Sequence, residues 1–247
     1  MEQQKIAILT DIHGNHSALK AVLDEIDRDN ETTHIHCLGD LIGIGHETNE
    51  VLDLLFSRKD TSFVIGNHDR AIMDILAGEQ PDSIGAEREH HQWIAKHFDK
   101  YFLPLLEQIP KKSTAVYNGQ RFLFTHYHLN DNECLLPVDY EPTVKKLDAH
   151  YQESQADMVC FGHHHVVHHF KSRERIYFNP GSLGCQHKPL APYAMITVGE
   201  AGNIDVSLKE VPYDNKDFLL SYSRLQIPAK EFVLKNFYGN QHLYYLE

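Results

Sequence analysis

Five short polar blocks, each following an apolar run, constrain this chain more than any other feature. They are Asp11-Ile-His13, Gly39-Asp40, Gly66-Asn67-His68-Asp69, His126 and Gly162-His163-His164-His165. The run from Lys5 to Thr10 (KIAILT) and the run from Asp157 to Phe161 have the length and residue types of buried strands. Each block therefore begins where a predicted strand ends. Aspartate, asparagine and histidine side chains scattered between residues 11 and 165 meet in space only if those strands lie side by side with their ends together. The fold must supply a sheet edge at which distant loops converge.

The rest of the pattern agrees with such a sheet. Predicted strands at 5–10, 33–38 and 61–65 alternate with two helices. The first helix carries Leu19, Val22, Leu23 and Ile26 at i, i+3, i+4 and i+7, and the second is marked by Val51, Leu54 and Leu55. A β-α-β-α-β order predicts a mainly parallel sheet with both faces covered. Residues 70–112 break that rhythm. Arg70 to Ala77 reads as a helix, and Ala86 to Leu103 as a longer polar one with Trp93, Ile94 and Phe98, stopped by Pro104. This stretch is read as a small helical cap inserted within a single domain of 1–247. Strands resume around Asn118-Gly119, a strong hairpin signal. A helix (142–151), the strand 157–161, a strand pair (166–170 and 175–178) and a last hairpin (193–198 and 204–208) follow. Two short helices around Pro228 complete the chain. A parallel first half and a hairpin-rich second half predict two sheets packed face to face with helices outside.

Charge and composition narrow the partners. The formal net charge of −12 and the lack of a basic stripe exclude long nucleic acid as a ligand, while metal ions in a cleft reverse the local field for a small anion. No run approaches the ~18 apolar residues of a transmembrane helix. The opening Met-Glu-Gln-Gln-Lys passes straight into a strand, with no secretory leader pattern. Cys37, Cys134, Cys160 and Cys185 are dispersed without a C-x-x-C pair, as expected of reduced thiols in a cytoplasmic protein. With 19 histidines in the chain, one histidine alone says little; the set carries the argument.

That set is Asp11, His13, Asp40, Asn67, His126, His163 and His165. Nitrogen and oxygen donors of intermediate hardness suit manganese, iron, zinc, cobalt or nickel better than calcium or magnesium. A structural zinc site would be closed and cysteine-rich, and this set has no cysteine. Seven donors exceed what one catalytic ion with an open position accepts. They suit two ions roughly 3.5–4 Å apart, bridged by a carboxylate. His163 and His165, two apart, point to the same side of an extended segment, and His164 points away. Asp11 and His13 share that spacing and reach one ion together. Such a pair of ions generates hydroxide near neutral pH and stabilises charge on a phosphoryl oxygen. A proton for the leaving group is then still needed. His68, next to Asn67 and unable to share its ion, is the candidate.

At these residues the chain resembles the calcineurin-like metallophosphoesterase superfamily, whose blocks D-x-H, G-D, G-N-H-D/E, a lone H and G-H-x-H occur here in order. The resemblance implies a four-layer α/β/β/α sandwich of two mixed sheets with a small helical cap, holding two divalent or trivalent transition-metal ions, with manganese, iron or zinc foremost. By position it implies Asp11, His13 and His165 on one ion, Asn67, His126 and His163 on the other, Asp40 bridging, and His68 catalytic. Gly39-Asp40-Leu-Ile-Gly43-Ile-Gly45 lacks the second acid and the arginine that protein phosphatases of this superfamily carry, so the expected acidic partner of His68 is missing. Asn179-Pro-Gly-Ser182-Leu-Gly184 and the tail segments VPYD and IPAKEF are similar to small bacterial phosphodiesterases, including those that act on diadenosine-tetraphosphate-like nucleotides. The expected activity is hydrolysis of phosphodiester or pyrophosphate bonds in a small, nucleotide-like substrate through a metal-bridging hydroxide. A phosphomonoesterase and a non-catalytic metal-binding scaffold are the alternatives. His128 competes with His126 for the fourth block. Asn15 is a candidate phosphate contact or, equally, the cap of the first helix; Arg70 is a candidate phosphate contact, and His46 and Trp93 are candidate cleft walls.

Overall fold

Ten strands form two five-stranded sheets in this computed structural model, which describes residues 2–246. The first half delivers β1 (Gln4–Leu9), α1 (His16–Arg28), β2 (Thr32–Cys37), α2 (Thr48–Phe56) and β3 (Thr61–Phe63). The helices α3 (Asn67–Leu76), α4 (Gly85–His97) and α5 (Leu103–Leu106) follow, and then β4 (Lys112–Tyr117) and β5 (Gln120–Thr125). After α6 (Val144–His150) come β6 (Met158–Cys160), β7 (Val167–Lys171), β8 (Ile176–Pro180), β9 (Leu190–Val198) and β10 (Ile204–Pro212). The tail forms α7 (Lys216–Arg224) and α8 (Lys230–Asn236). One sheet has the order β10-β9-β1-β2-β3 and the other β4-β5-β6-β8-β7. Parallel pairing joins β1 to β2, β2 to β3, β5 to β6 and β6 to β8, and antiparallel pairing joins β1 to β9 and forms the hairpins β9–β10, β4–β5 and β7–β8.

Alternation along β1 explains the layering. Ile6 and Ile8 face the second sheet and meet Phe122, Phe124, Met158, Cys160 and Phe178 in the inter-sheet core. Ala7 and Leu9 face outward onto Leu19, Val22, Leu23 and Ile26 of α1 and Val51, Leu52 and Leu55 of α2. The outer face of the second sheet packs Val159 and Tyr177 against Leu147 and Tyr151 at α6. The result is the helix/sheet/sheet/helix sandwich expected from the sequence.

Two helix boundaries differ from the sequence reading. The block Gly66–Asp69, read as a loop, holds the first turn of α3. Gly66 is its N-cap, and Asp69 accepts hydrogen bonds from the Gly66 N–H at 3.0 Å and the Ile42 N–H at 3.0 Å. The long helix expected to run to Leu103 ends at His97, because Phe98 turns to an extended backbone and buries its ring. Asn49 of α2 closes that end, donating to the His97 carbonyl at 3.0 Å and accepting from the Asp99 N–H at 2.9 Å. Pro104 sits in the first turn of α5, where its missing N–H costs nothing. Ile94, Phe98, Phe102 and Leu106 of the 70–112 stretch join the same apolar cluster as α1 and α2.

Candidate metal centre

The loops that leave β1 and β2 carry Asp11 and His13, and Asp40; Asn67 opens α3 just beyond β3; and the loops that leave β5 and β6 carry His126 and the pair His163 and His165. Both sheets thus present donors at one seam. Asp11, His13, Asp40, His163 and His165 all adopt positive φ, between 49° and 68°. A non-glycine residue in this region is uncommon and persists where surrounding structure holds it. Two block glycines act by leaving space. A Cβ on Gly66 would strike the Asp40 carboxylate, and one on Gly162 would strike Thr10 and the Asp11 carboxylate.

The donor atoms fall into two groups that share Asp40. In the first, the Nε2 atoms of His13 and His165 lie 2.8 Å apart, and Asp11 Oδ1 lies 3.7 Å from His13 Nε2 and 3.4 Å from His165 Nε2. In the second, His126 Nε2 stands 3.0 Å from Asn67 Oδ1 and 3.2 Å from His163 Nδ1. Asp40 Oδ2 lies 3.2 Å from His126 Nε2 and 3.8 Å from His13 Nε2, between the groups. The other carboxylate oxygens are held by the chain. Asp40 Oδ1 accepts the His68 N–H at 2.9 Å, and Asp11 Oδ2 accepts the Thr10 hydroxyl at 2.7 Å and the His163 N–H at 2.9 Å. His126 Nδ1 donates to the Leu38 carbonyl at 2.7 Å, which commits its Nε2 to the cluster.

This arrangement fits transition-metal ions. Bonds of roughly 2.1 Å put neighbouring donors of one ion roughly 3–3.4 Å apart, close to the spacings seen. Crowding this many nitrogen and oxygen donors into one buried cluster is the arrangement that a bound cation stabilises. The charge balance says the same. Burial opposes ionisation of Asp11, yet the His165 ring beside it holds the carboxyl down at about 2. Burial likewise opposes ionisation of Asp40, and His126 overcomes it, holding that carboxyl well below the usual range. Burial alone would keep His126 neutral, but Asp40 pushes it up to about 10, so the pocket demands positive charge at this nitrogen.

Around these donors the structure sorts the remaining candidates. His68 does not lack a partner. Its Nδ1 lies 2.7 Å from Nε2 of His91 on α4, and His91 Nδ1 lies 3.0 Å from the Ser83 hydroxyl. His91 was missed by sequence reasoning, since nothing local marks a helix residue as the neighbour of a histidine on another helix. Cys185, given no site role from the sequence, stands beside His13 and His165. His128 turns away from the cluster, with Nδ1 2.9 Å from the Tyr151 hydroxyl. His164 also points away, to His168 at 2.8 Å. Asn15 takes the cap of the first helix and not the phosphate contact. Its amide is fully buried, caps α1 by accepting the Ala18 N–H at 3.1 Å, and donates to the Gly184 carbonyl at 2.9 Å. Nothing of it is left for a phosphate. Arg70 is exposed and pairs with Asp74 at 2.8 Å. His46 stacks on Phe218 of α7, while Trp93 lies tilted over His97 one turn along its own helix and packs against the buried apolar clusters.

Comparison with known proteins agrees with the blocks and the layers. Over 245 residues the chain is 26% identical to the uncharacterized protein MJ0912 of Methanocaldococcus jannaschii, covering 96% of this chain and 94% of the other. Among solved structures, the hypothetical protein PH1004 from Pyrococcus horikoshii superposes with a TM-score of 0.80 at 17% identity, over 95% of this chain and 98% of its own. A metallophosphoesterase from Sphaerobacter thermophilus superposes with a TM-score of 0.71 at 20% identity, over 95% and 98% respectively. The sequence model of the Calcineurin-like phosphoesterase superfamily domain matches residues 5–201. With that match over most of its length, the chain belongs to the calcineurin-like phosphoesterase superfamily.

Proposed function

We propose that this protein is a dinuclear-metal phosphodiesterase acting on small phosphorylated substrates, nucleotides among them. The observation that carries the reading is Asp40 Oδ2, which stands within 3.2 Å of His126 Nε2 and 3.8 Å of His13 Nε2 and so serves two donor groups at once. Asp11, His13 and His165 would hold one ion and Asn67, His126 and His163 the other. Ions bound there lower the pKa of water and neutralise phosphoryl oxygens. A water that has released a proton to solvent adds to phosphorus, the ester P–O bond breaks, and the leaving alkoxide takes a proton from His68, giving a phosphomonoester and an alcohol. His68 regains that proton from solvent. His91 holds the His68 ring so that Nε2 faces the cleft.

Preference for a diester is supported by the scarcity of fixed positive charge. A monoester dianion needs more of it than a diester monoanion. Here buried Ile44 occupies the position where the protein phosphatases of this superfamily place arginine, and Arg70 is matched by Asp74. The test is elemental analysis joined to turnover of bis-p-nitrophenyl phosphate with added Mn²⁺. Two equivalents of metal per chain are expected, with roughly one lost and turnover down by about 10²-fold or more in Asp40→Asn. A single equivalent in wild type, or an Asp40→Asn variant as active as wild type, overturns the reading.

A further inference from the structure

Beside the donors, between α3, α4, α5 and the loop 129–135, lies a cavity of about 550 Å³. It shares Asn67 and His91 with the site. Its size falls inside the range of roughly 300–1,000 Å³ typical of small-molecule sites. Two features give it a chemical character. Apolar side chains, among them Ile65, Met73, Leu106 and Leu135, line the interior. Around them stand five carboxylates, Asp74, Asp82, Glu87, Glu107 and Glu133, against two cations, Arg70 and Lys111. Arg70 is spent on Asp74 at 2.8 Å, and Glu133 is matched by Lys112 at 2.8 Å. Lys111 Nζ donates to the Glu133 carbonyl at 2.8 Å. No lysine or arginine pairs with Asp82, Glu87 or Glu107 among the described residues, and Glu87 stands 3.9 Å from His68 Nε2.

From this geometry we infer that the cavity receives the leaving arm of the substrate, and that this arm is an apolar alcohol, cationic or neutral, that carries no further phosphate. The inference rests on the phosphodiesterase reading and narrows it. His68 protonates the departing oxygen, and Asn67, Glu87 and His91 beside it form the cavity wall, so the departing group lies on that side. An apolar lining rewards burial of its carbon skeleton. The three carboxylates that no lysine or arginine pairs repel a second phosphate and attract an ammonium group. A dinucleoside polyphosphate, which would place further phosphates among those carboxylates, is disfavoured.

The test uses three methyl aryl phosphodiesters with Mn²⁺-loaded protein. Their phenols carry a para trimethylammonio, acetyl or sulfonate group. Methanol is the poorer leaving group in each, so the phenol departs. Expected is a kcat/KM order of cation, then neutral, then anion, spanning about tenfold or more after correction for phenol pKa and shrinking as salt is raised. The double variant Asp82→Asn/Glu107→Gln, at two exposed positions of the cavity rim, should flatten the order, with the cationic ester losing most. A second readout needs no turnover. The chain has 4 methionines, and the ¹³C-methyl signal of Met73 should shift when 4-hydroxyphenyl-trimethylammonium is added and stay put with 4-hydroxybenzenesulfonate. If no ester is hydrolysed but Met73 still responds to the cation alone, the subsite stands and the hydrolase reading falls. If esters are hydrolysed with no charge order, or with an order unchanged in the double variant, or if Met73 ignores the cation, the inference is overturned.

Discussion

At the scale of single residues, the donors were legible and their support was not. Asp11, Asp40, His126 and His163 announce themselves because a polar side chain directly after an apolar strand needs a reason to be there. His91 gives no such sign. Its contact with His68 spans 23 positions and two helices, and the histidine beside it, His90, instead reaches the Pro228 carbonyl at 3.1 Å. Asn15 was ambiguous for a different reason, because an asparagine after Asp-x-His-Gly is as useful to a helix start as to a ligand. His91 also supports a prediction that separates positioning from mere packing. Its ring stays neutral, since burial pushes it down to about 3, so it steadies His68 without adding charge. In His91→Phe, kcat on an alkyl diester should fall by about 10²-fold, while a p-nitrophenyl diester, whose anion leaves without a proton, loses no more than about threefold. His91→Gln, which keeps a hydrogen-bonding group, should recover much of the alkyl rate. Equal losses on both esters would reduce His91 to a packing residue.

Elements were read well where one period dominated and poorly where caps decided. The spacing of Leu19, Val22, Leu23 and Ile26 defined α1, and all four are buried. The start of α3 was hidden because its first turn is made of residues that also favour turns, and only the two hydrogen bonds accepted by Asp69 settle it. The break after His97 depends on Asn49 of another helix, which no local window contains. Strand β5 carries part of the inter-sheet core. Phe122 and Phe124 are both fully buried, and Phe124 stacks on His36 with ring centroids 3.8 Å apart. Phe124→Ala should cost about 3–5 kcal/mol. Urea denaturation checks this, with the midpoint falling at unchanged slope. A loss under about 1 kcal/mol would show that the inter-sheet core tolerates a void there.

For the whole molecule, the two-sheet architecture followed from the β-α-β half and the hairpins, but the position of β9 beside β1 did not. That antiparallel pair joins Gln4 to Val198, a choice made by tertiary packing that leaves no trace in either segment. The acid response is likewise a property of the assembled fold. Burial pushes His36 down to about 3, and its Nε2 and Nδ1 lie 2.7 Å from the Tyr117 hydroxyl and 2.7 Å from the Ser62 hydroxyl. Unfolded, it titrates at about 6.5. Above that pH both states are neutral at this site. Between about 6.5 and about 3 only the unfolded chain binds the proton, so this contribution to stability is lost as pH falls. Burial has the opposite effect on Asp69 and Glu47, each raised to about 7, so the total curve blends both signs. Comparison with His36→Gln isolates the one group. Wild type should lose stability relative to the variant by up to about 1.4 kcal/mol per pH unit over that window, and a difference constant with pH would refute it. The seam at which the donors meet has its own consequence. Asp11, His13, Asp40 and Asn67 hang from one sheet and His126, His163 and His165 from the other. Ions bound among them would clasp the halves of the sandwich, and the rigidity of that rim would then follow the metal supply of its surroundings.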